Sequence, residues 1–226
     1  MKVLSVRAWL SAFVLIAVSG AAFAQQTAPP AARPPASSTE AQRERWNRIF
    51  SEPRPNIRTE ANEFVVRVAS ELKPGAALDI GMGVGRNALF LARRGWTVTG
   101  VDLSDTAVEK ARKEAEAGKL ALTAVREDMF TFDYGTDRYD LVVFTYMGGE
   151  AQGMADKITA ALKPGGLLVI EHFLRQEGMT LGYPAGVLPT LYPKLEVLRY
   201  AEEEGNPDYD QQVKGKVVRL LARKKP

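Results

Sequence analysis

A short apolar run that leads directly into three closely spaced glycines constrains the fold of this chain more than any other feature. The run is Ala77 to Ile80, and the glycines are Gly81, Gly83 and Gly85. Glycine tolerates positive φ and lets a ligand lie against the backbone. We therefore predict a strand, a tight turn and the start of a helix, with the turn at the carboxyl end of the strand. Open α/β sheets bind their ligands at that edge.

The chain from Thr39 onward alternates short apolar runs with amphipathic helices. The predicted strands are Ala77 to Ile80, Thr97 to Val101, about Leu120 to Val125, Asp140 to Thr145, Leu167 to Ile170, about Lys194 to Tyr200 and about Val213 to Ala222. The predicted helices begin near Thr39, Thr59, Arg86, Ser104 and Glu150, and those from Thr59 and Glu150 end near Lys73 and Leu162. This pattern predicts one α/β domain with a doubly wound, Rossmann-like sheet of seven mostly parallel strands. Only an acidic turn, Glu202 to Asp210, separates the final two strands, so we expect the last strand to be antiparallel.

Composition narrows the classes of function. The 226 residues carry a formal net charge of +3, and Lys2 and Arg7 supply two of the positive charges. The remainder holds 28 basic and 27 acidic residues, so no net charge favours nucleic acid, and we expect no nucleic-acid partner. The chain has no cysteine, which excludes disulfides, thiol catalysis and cysteine–metal sites. We predict no metal site, and the pattern gives no prediction of oligomeric state.

The first 38 residues differ from the rest. Residues 1–24 combine the basic start, the apolar run Ala8 to Val18 and small residues ending in Ala22-Phe23-Ala24. This pattern predicts a secretory signal peptide, followed by a proline-rich linker over 25–38 and the folded domain over 39–226. The expected location is periplasmic or secreted, without stable membrane insertion after cleavage. The alternatives are an uncleaved anchor, or a cytoplasmic protein whose start codon is misassigned.

The glycine turn has three interpretations. It could be a strand–helix turn without a ligand, or a dinucleotide site, which requires Gly-x-Gly-x-x-Gly. Arg86 occupies the sixth position and breaks that second pattern. The third interpretation is a Gly-x-Gly-x-Gly turn with an acid two residues upstream, as Asp79 is here. Asp102 favours it, because it ends the second strand 17 residues after Gly85, where a carboxylate can accept both ribose hydroxyls of a nucleoside.

Five segments then occur in one order. They are Leu78 to Gly85, Gly100-Val101-Asp102-Leu103-Ser104, Arg126-Glu127-Asp128-Met129, Arg138 to Val143 and Ala161 to Leu168, which includes Lys-Pro-Gly-Gly. Together they resemble the motif series of the class I S-adenosylmethionine (SAM)-dependent methyltransferases. Among these, the small bacterial enzymes of the tellurite-resistance and thiopurine type look closest. The resemblance implies SAM as cofactor and a small-molecule methyl acceptor.

The resemblance also implies a role for individual residues. Asp79 would orient the methionine amine, Asp102 would take the ribose hydroxyls, and Asp128 would accept from the adenine amino group. The other implied cofactor residues are Gly81, Met82, Gly83, Gly85, Asn87, Leu103, Met129 and Thr145. Packing alone would also explain Met82 and Leu103, and a turn would explain Asp128.

The acceptor side is less defined by sequence. Tyr146 and the single histidine, His172, are the predicted substrate-binding residues, with Met147, Glu150 and Glu171 as further candidates. A lone histidine is also often structural. Tyr146-Met147-Gly148-Gly149 differs from the Asn/Asp-Pro-Pro-Tyr motif of methyltransferases that act on nucleobases or glutamine. Trp46 and Phe50 either cover the cofactor or pack with their helix on the sheet.

The expected reaction is methyl transfer to a small molecule by in-line displacement. The cofactor supplies the reactivity and the protein aligns the two partners. The pattern therefore assigns no catalytic residue. Two alternatives stay open: an exported, non-catalytic module that keeps the nucleoside pocket, and a nucleotide-dependent oxidoreductase, against which Arg86 argues.

Overall fold

The computed structural model describes residues 37–52, 58–147, 151–205, 207–208 and 215–225. The predicted signal peptide, linker residues 25–36 and Glu150 lie outside the described residues. The helices are α1 (Ser37–Ser51), α2 (Glu63–Ser70), α3 (Arg86–Arg93), α4 (Asp105–Ala117) and α5 (Ala151–Ala161), and a 3-10 turn spans Leu188–Leu191. The strands are β1 (Ala76–Ile80), β2 (Thr97–Asp102), β3 (Leu122–Arg126), β4 (Tyr139–Thr145), β5 (Leu162–Phe173), β6 (Leu195–Gly205) and β7 (Gly215–Lys224).

The seven strands form one sheet in the order β3-β2-β1-β4-β5-β7-β6. The pairs from β3 to β5 are parallel, and β7 runs antiparallel to both β5 and β6. This confirms the predicted fold class, including the antiparallel last strand. The order changes direction at β1 and β4, so the ends of β1, β2, β4 and β5 face one crevice.

Alternate residues of each strand face opposite sides of the sheet. Leu78, Ile80 and Val142 pack on the side that carries α5, in a cluster with Met154 and Ile158. Ala77, Leu141 and Val143 pack on the other side, beneath α2 and α3. Asp79 therefore shares the side of Ala77 and lies beneath α3.

Several element boundaries differ from the prediction, and β6 in particular runs on to Gly205, beyond the predicted Tyr200. Helix α2 begins at Glu63 rather than near Thr59, because the Asn62 side chain accepts hydrogen bonds from the backbone N–H of Phe64 and Val65 and so caps the helix. Helix α1 begins at Ser37, two residues before the predicted domain start.

Strand β5 is longer than the predicted Leu167–Ile170. Leu162 already pairs with Tyr139, and the register shifts before Leu167 pairs with Leu141. At the far end, Phe173 pairs with Val217 of β7. The antiparallel partner therefore extends β5 beyond the edge predicted from its apolar run.

Candidate cofactor and acceptor site

The three glycines after β1 adopt the backbone conformation that their residue type predicts. Gly81, Gly83 and Gly85 have φ values of 67°, 58° and 84°. Gly81 donates its N–H to the Val101 carbonyl at 2.8 Å, and Gly85 donates to the Met82 carbonyl at 3.0 Å. Side chains with a Cβ are strained at such φ values, so the turn depends on glycine. The turn crosses from β1 to α3 directly beside the end of β2.

Asp102 lies against this turn. Its Oδ2 accepts the Gly83 N–H at 2.8 Å, and its Oδ1 accepts the Ser104 N–H at 2.8 Å. Burial raises the pKa of this carboxyl, while the N–H groups of Ser104, Gly83 and Leu103 oppose the rise. The structure thus holds the carboxylate in one orientation at the carboxyl end of β2. Its remaining lone pairs are available to hydroxyl donors.

Asp79 is buried at the end of β1 with 1% of its surface exposed. Its Oδ2 has no hydrogen-bond partner within the described residues. Burial raises the pKa of this carboxyl to about 7, although Arg86 and the backbone N–H of Ala88 oppose the rise. A buried acceptor atom of this kind is costly unless a ligand or water satisfies it.

Asn87 joins the cofactor side to β4. Its Oδ1 accepts the Asn62 N–H at 2.9 Å, and its Nδ2 donates to Thr145 Oγ1 at 3.1 Å. Both side chains are buried. The geometry places Asn87 and Thr145 between the glycine turn and the end of β4, and both polar groups of the Asn87 side chain are used within the protein.

The other predicted cofactor residues differ in their surroundings. The Met82 side chain is buried, and its sulfur lies 2.2 Å from the position that a Cβ on Gly100 would occupy, so packing explains it. Leu103 is half-buried beside Asp102. Asp128 Oδ1 accepts the Phe130 N–H at 2.9 Å, the contact expected of a turn residue. Met129 packs half-buried on the α5 side of the core. Their cofactor contacts stay predictions.

Glu171, a candidate for the acceptor pocket, is 1% exposed and binds three donors. Its Oε1 accepts from Asn62 Nδ2 at 2.6 Å and from the Tyr146 hydroxyl at 2.7 Å. Its Oε2 accepts from Arg219 Nε at 2.5 Å. Arg219 also pairs with Glu203. Glu171 is thus bound on both oxygens, which fits a structural role at the end of β5.

Asp208 is buried and was not among the site residues predicted from the sequence. Its Oδ2 accepts from Asn62 Nδ2 at 2.6 Å and from Arg86 at 2.8 Å. Its backbone N–H donates to the Tyr146 hydroxyl at 3.2 Å. In the sequence Asp208 lies in the acidic stretch Glu202 to Asp210. Such a stretch indicates a solvent-exposed turn, so it gave no sign that Asp208 is buried. Arg86, which breaks the dinucleotide motif, therefore has a structural partner.

Helix α1 packs across the start of α4. Asn47 Oδ1 accepts from Ser104 Oγ at 2.7 Å and from the Thr106 N–H at 3.2 Å. The Phe50 ring lies over the turn, with its atoms 3.2 and 3.3 Å from the position that a Cβ on Gly83 would occupy. Trp46 stacks on Phe50 at 5.9 Å between ring centroids. Of the two interpretations of this helix, the geometry therefore favours a cover over the turn.

Met147 lies against Gly81. Its side chain occupies the space that a Cβ on Gly81 would need, so a larger residue at position 81 would require Met147 to shift. Two surface cavities, of about 310 and 340 Å³, lie elsewhere, beside Thr131 to Gly135 and along Arg112 to Ala124. Neither has a carboxylate comparable to Asp79 or Asp102, and we place the candidate site at the glycine turn.

His172 is buried at the end of β5 with 2% of its surface exposed. Its Nδ1 accepts the Phe173 N–H at 2.7 Å. Burial lowers the pKa of this imidazole to about 4, and Arg175 adds to the effect. A neutral ring that accepts at Nδ1 carries its proton on Nε2.

This tautomer gives a direct prediction. Because the chain has one histidine, the untagged protein is expected to show a single imidazole Cε1–H resonance in proton NMR. Its chemical shift should stay constant from pH 8 to about pH 5 and change with a midpoint near 4. The same resonance in urea-unfolded protein serves as the control and should titrate near 6.5. A midpoint near 6.5 in the folded protein would show that the ring is not held neutral.

Comparison with known proteins agrees with this geometry. The family described as "Methyltransferase domain" matches residues 77–166, from β1 to the turn before the apolar part of β5. A ribosomal protein L11 methyltransferase of Burkholderia thailandensis is 31% identical over 59% of this chain and 42% of its own length. A ubiquinone biosynthesis O-methyltransferase of Coxiella burnetii is 31% identical over 43% of each chain. The chain thus spans less than half the length of these curated relatives.

Solved structures show the same fold. TehB from Haemophilus influenzae aligns with a TM-score of 0.64 and 23% identity over 73% of this chain and 63% of that chain. The N-methyltransferase NodS from Bradyrhizobium japonicum, in complex with S-adenosyl-L-homocysteine, aligns with a TM-score of 0.65 and 17% identity over 81% and 98% of the two chains. TehB is in keeping with the resemblance to small bacterial methyltransferases, although at this identity the likeness is one of fold. The motif series, the glycine turn and the family match thus agree: residues 77–166 match a methyltransferase domain, and the chain has the fold seen in class I SAM-dependent methyltransferases.

Proposed function

We propose that this protein transfers a methyl group from SAM to a small-molecule acceptor by in-line displacement. The observation that carries the proposal is the pair of carboxylates around the glycine turn. Asp79 offers a buried oxygen that has no partner within the described residues, and Asp102 is fixed by two backbone N–H groups. An ammonium group and a ribose diol are ligands that would satisfy these two acceptors.

The residues present fit the cofactor. Asp79 would hold its ammonium group, the backbone from Gly81 to Gly83 would lie beside its methionine and ribose, and Asp102 would accept from the ribose hydroxyls. Met147 adjoins Gly81, and its flexible side chain can adjust to a ligand there. Bound SAM supplies a methyl group activated by the positive sulfur.

The protein's own contribution is alignment. Asn87 fixes Thr145 at the end of β4 through a 3.1 Å hydrogen bond, and Tyr146 follows it with its hydroxyl bound to Glu171. These contacts hold the end of β4 rigid where an acceptor would approach. Holding two reactants in line can lower a barrier by several kcal/mol, about 7 in favourable cases. Methyl transfer at this site therefore does not require a general base among the protein side chains.

Replacing Asp102 tests the proposal. In calorimetric titrations of the full chain, we expect SAM and S-adenosylhomocysteine to bind with micromolar affinity, and NAD not to bind. Asp102→Ala removes the acceptor of the ribose hydroxyls, and we expect it to weaken both at least about 30-fold, as a charged hydrogen bond is worth about 2 kcal/mol. Asp156→Ala is the matched control, because Asp156 is exposed and pairs with an exposed lysine. It should leave both affinities unchanged.

Two results would count against the proposal. If folded wild-type protein binds neither ligand, the fold has lost the cofactor site. If Asp102→Ala and Asp156→Ala bind SAM equally well, Asp102 is not part of the site. Binding without methyl transfer to any of a broad set of acceptors would favour the non-catalytic module.

A small-molecule acceptor has indirect support. Outside the first 38 residues the net charge is close to neutral, and β4 is followed by a sequence unlike the amino-methyltransferase motif. Similar proteins include a ubiquinone biosynthesis O-methyltransferase and also ribosomal RNA and ribosomal protein methyltransferases. Phenols, amines and ribosomal subunits can be tested side by side as methyl acceptors. The release of S-adenosylhomocysteine then shows which class of acceptor is methylated.

We also propose that residues 1–24 direct export and are removed. The support is the basic start, the short apolar run and the Ala22-Phe23-Ala24 ending. Among the described residues, no helix has the length and hydropathy needed to cross a bilayer. N-terminal sequencing of protein recovered from the exported fraction should begin at Gln25. Recovery solely from the cytosol, with Met1 retained, contradicts the proposal.

A further inference from the structure

Arg86 holds a guanidinium group in a fixed position at the amino end of α3. It is the first residue of that helix and directly follows Gly85, the last glycine of the turn. Its NH2 group donates to Asp208 Oδ2 at 2.8 Å, and its NH1 group donates to the Glu60 carbonyl at 3.2 Å. With 15% of the side chain exposed, the charge is only weakly screened by solvent.

The partner of Arg86, Asp208, is itself fixed by several contacts. Its Oδ2 also accepts from Asn62 Nδ2 at 2.6 Å, and its N–H donates to the Tyr146 hydroxyl at 3.2 Å. Its carbonyl accepts the Arg58 N–H at 3.1 Å, and its Oδ1 lies 3.8 Å from Arg58 Nε. These contacts come from the segment before α2, the cap of α2 and the end of β4. Asp208 therefore anchors the guanidinium to three other parts of the fold.

Asp79 lies against the same end of α3. Its carboxyl accepts the backbone N–H of Ala88, which is in the first turn of the helix, two residues after Arg86. Its Oδ2 has no hydrogen-bond partner, and it forms no ion pair within the ranges that the structure describes. One helical turn thus supplies both the hydrogen bond to Asp79 and a nearby positive charge.

The charges around Asp79 are few. Its neighbours in the sheet, Gly100 on β2 and Val143 on β4, are uncharged. Burial raises the pKa of Asp79 to about 7, while the Arg86 charge opposes the rise and the Asp102 charge adds to it. Among the described residues, Arg86 is therefore the cation that favours the charged form of Asp79.

The charge state of Asp79 matters for a cationic ligand. A carboxylate binds an ammonium group much more strongly than the neutral acid does. A carboxyl group with a pKa of about 7 is about half ionised at neutral pH, and its ionised fraction falls about tenfold with each further pH unit below that value. A change in one neighbouring charge therefore changes the fraction of the protein that is ready to bind.

We propose that Arg86 is a positioning residue for the cofactor, which acts through Asp79 and not by contact with the cofactor. Its guanidinium, anchored by Asp208, keeps a positive charge beside the carboxylate that takes the cofactor's ammonium group. This rests on the proposed function and adds a residue to its site. The arginine that breaks the dinucleotide motif thereby gains a role in binding SAM.

Binding of S-adenosylhomocysteine between pH 6 and pH 9 tests this role. This ligand carries the same amino group as SAM, and its affinity for the full chain is measured by calorimetry. Arg86→Gln removes the charge and keeps an N–H donor for Asp208. We expect it to bind about tenfold more weakly than wild type at pH 6 and equally tightly at pH 9, because loss of the charge raises the pH at which Asp79 ionises by about one unit. The titration of the ligand itself cancels in the ratio of the two affinities.

Three further variants show how Arg86 acts. Arg86→Lys keeps the positive charge and should bind like wild type at every pH. Arg93→Gln is the matched control on the same helix, because Arg93 is 54% exposed and lies 3.5 Å from an exposed carboxylate, that of Glu114. It should have no effect. In an Asp79→Asn background, Arg86→Gln should lose its pH-dependent effect, since the group on which it acts is gone.

The outcomes separate this role from the proposed function. An affinity ratio between wild type and Arg86→Gln that is the same at pH 6 and pH 9 overturns the proposal, since structural damage or a lost direct contact weakens binding at every pH. A pH-dependent ratio that persists with Asp79→Asn overturns it as well. If wild type binds S-adenosylhomocysteine at no pH, the proposed function itself fails. Should Arg86→Gln fail to fold, its combination with Asp208→Asn, which leaves no unpaired charge, decides the question.

Discussion

Replacing Arg219 with methionine is expected to lower the free energy of unfolding by about 3 kcal/mol, because it leaves the buried Glu171 carboxylate without its cation. Glu171 is 1% exposed, and its Oε2 accepts from Arg219 Nε. Methionine has a volume similar to that of arginine, so the loss of stability would come mainly from the missing positive charge. The two hydrogen bonds from Asn62 and Tyr146 to Oε1 keep the cost from being larger. Urea unfolding followed by circular dichroism measures it.

The same strand offers a matched control. Arg223, four residues along β7, pairs with Glu196, and both side chains are 43% exposed. Arg223→Met should cost less than about 1 kcal/mol, as exposed ion pairs usually do. Adding Glu171→Gln to Arg219→Met removes the unpaired charge, and we expect it to restore part of the stability. Equal losses for Arg219→Met and Arg223→Met would contradict the assignment of a buried pair.

The second large effect is expected from Asp79→Asn. Burial raises the pKa of Asp79 to about 7 from an ordinary 3.8, so between these values the folded protein binds more protons than the unfolded one. The stability of the ligand-free wild type should therefore fall as the pH rises from about 4 to about 7. Over that window the difference corresponds to about 4 kcal/mol. Asparagine does not titrate, so the stability of the variant relative to wild type should increase by this amount between pH 4 and pH 8.

Thermal and urea unfolding at a series of pH values measure this difference. The pKa of His172 is lowered to about 4, and it gives the opposite slope, with stability lost as the pH falls through that value. Because wild type and Asp79→Asn both contain His172, its contribution cancels in the difference between their stabilities. Asp156→Asn, at an exposed carboxylate, should run parallel to wild type. Saturating SAM should flatten the wild-type curve if its ammonium group pairs with Asp79, and parallel curves for Asp79→Asn and wild type would disprove the raised pKa.

Local pattern was enough to predict the sheet and the edge at which the glycine turn lies. The apolar run before Gly81 placed β1, and the positions of Asp79 and Asp102 at strand ends followed from counting along the chain. The antiparallel β7 was predicted from the acidic stretch Glu202 to Asp210, read as a turn, although Glu202 to Gly205 belong to β6 and pair with β7. These predictions depend on neighbours in sequence, because strand period, glycine conformation and helix caps are set locally.

The hydrogen-bond network beneath the acceptor side could not be predicted in this way. Asn62 binds Glu171 and Asp208, which are 109 and 146 residues away along the chain. By sequence Glu171 was therefore a candidate for the acceptor pocket, whereas in the fold its side chain accepts from three donors. The positive φ of Tyr146 has no sequence signal either, and its N–H and hydroxyl bind Glu171, 25 residues away along the chain.

The position of α1 has a thermodynamic consequence. Asn47 fastens the helix to the loop after Asp102, and Phe50 lies over Gly83, so a ligand along this turn would touch a helix that is separate from the sheet. Contacts between the ligand and α1 would then favour both ligand binding and the packing of α1. By thermodynamic linkage, the free energy that the packed helix adds to ligand binding equals the free energy that the bound ligand adds to the packing of the helix. Ligand binding would therefore stabilise the packing of α1 against the rest of the domain.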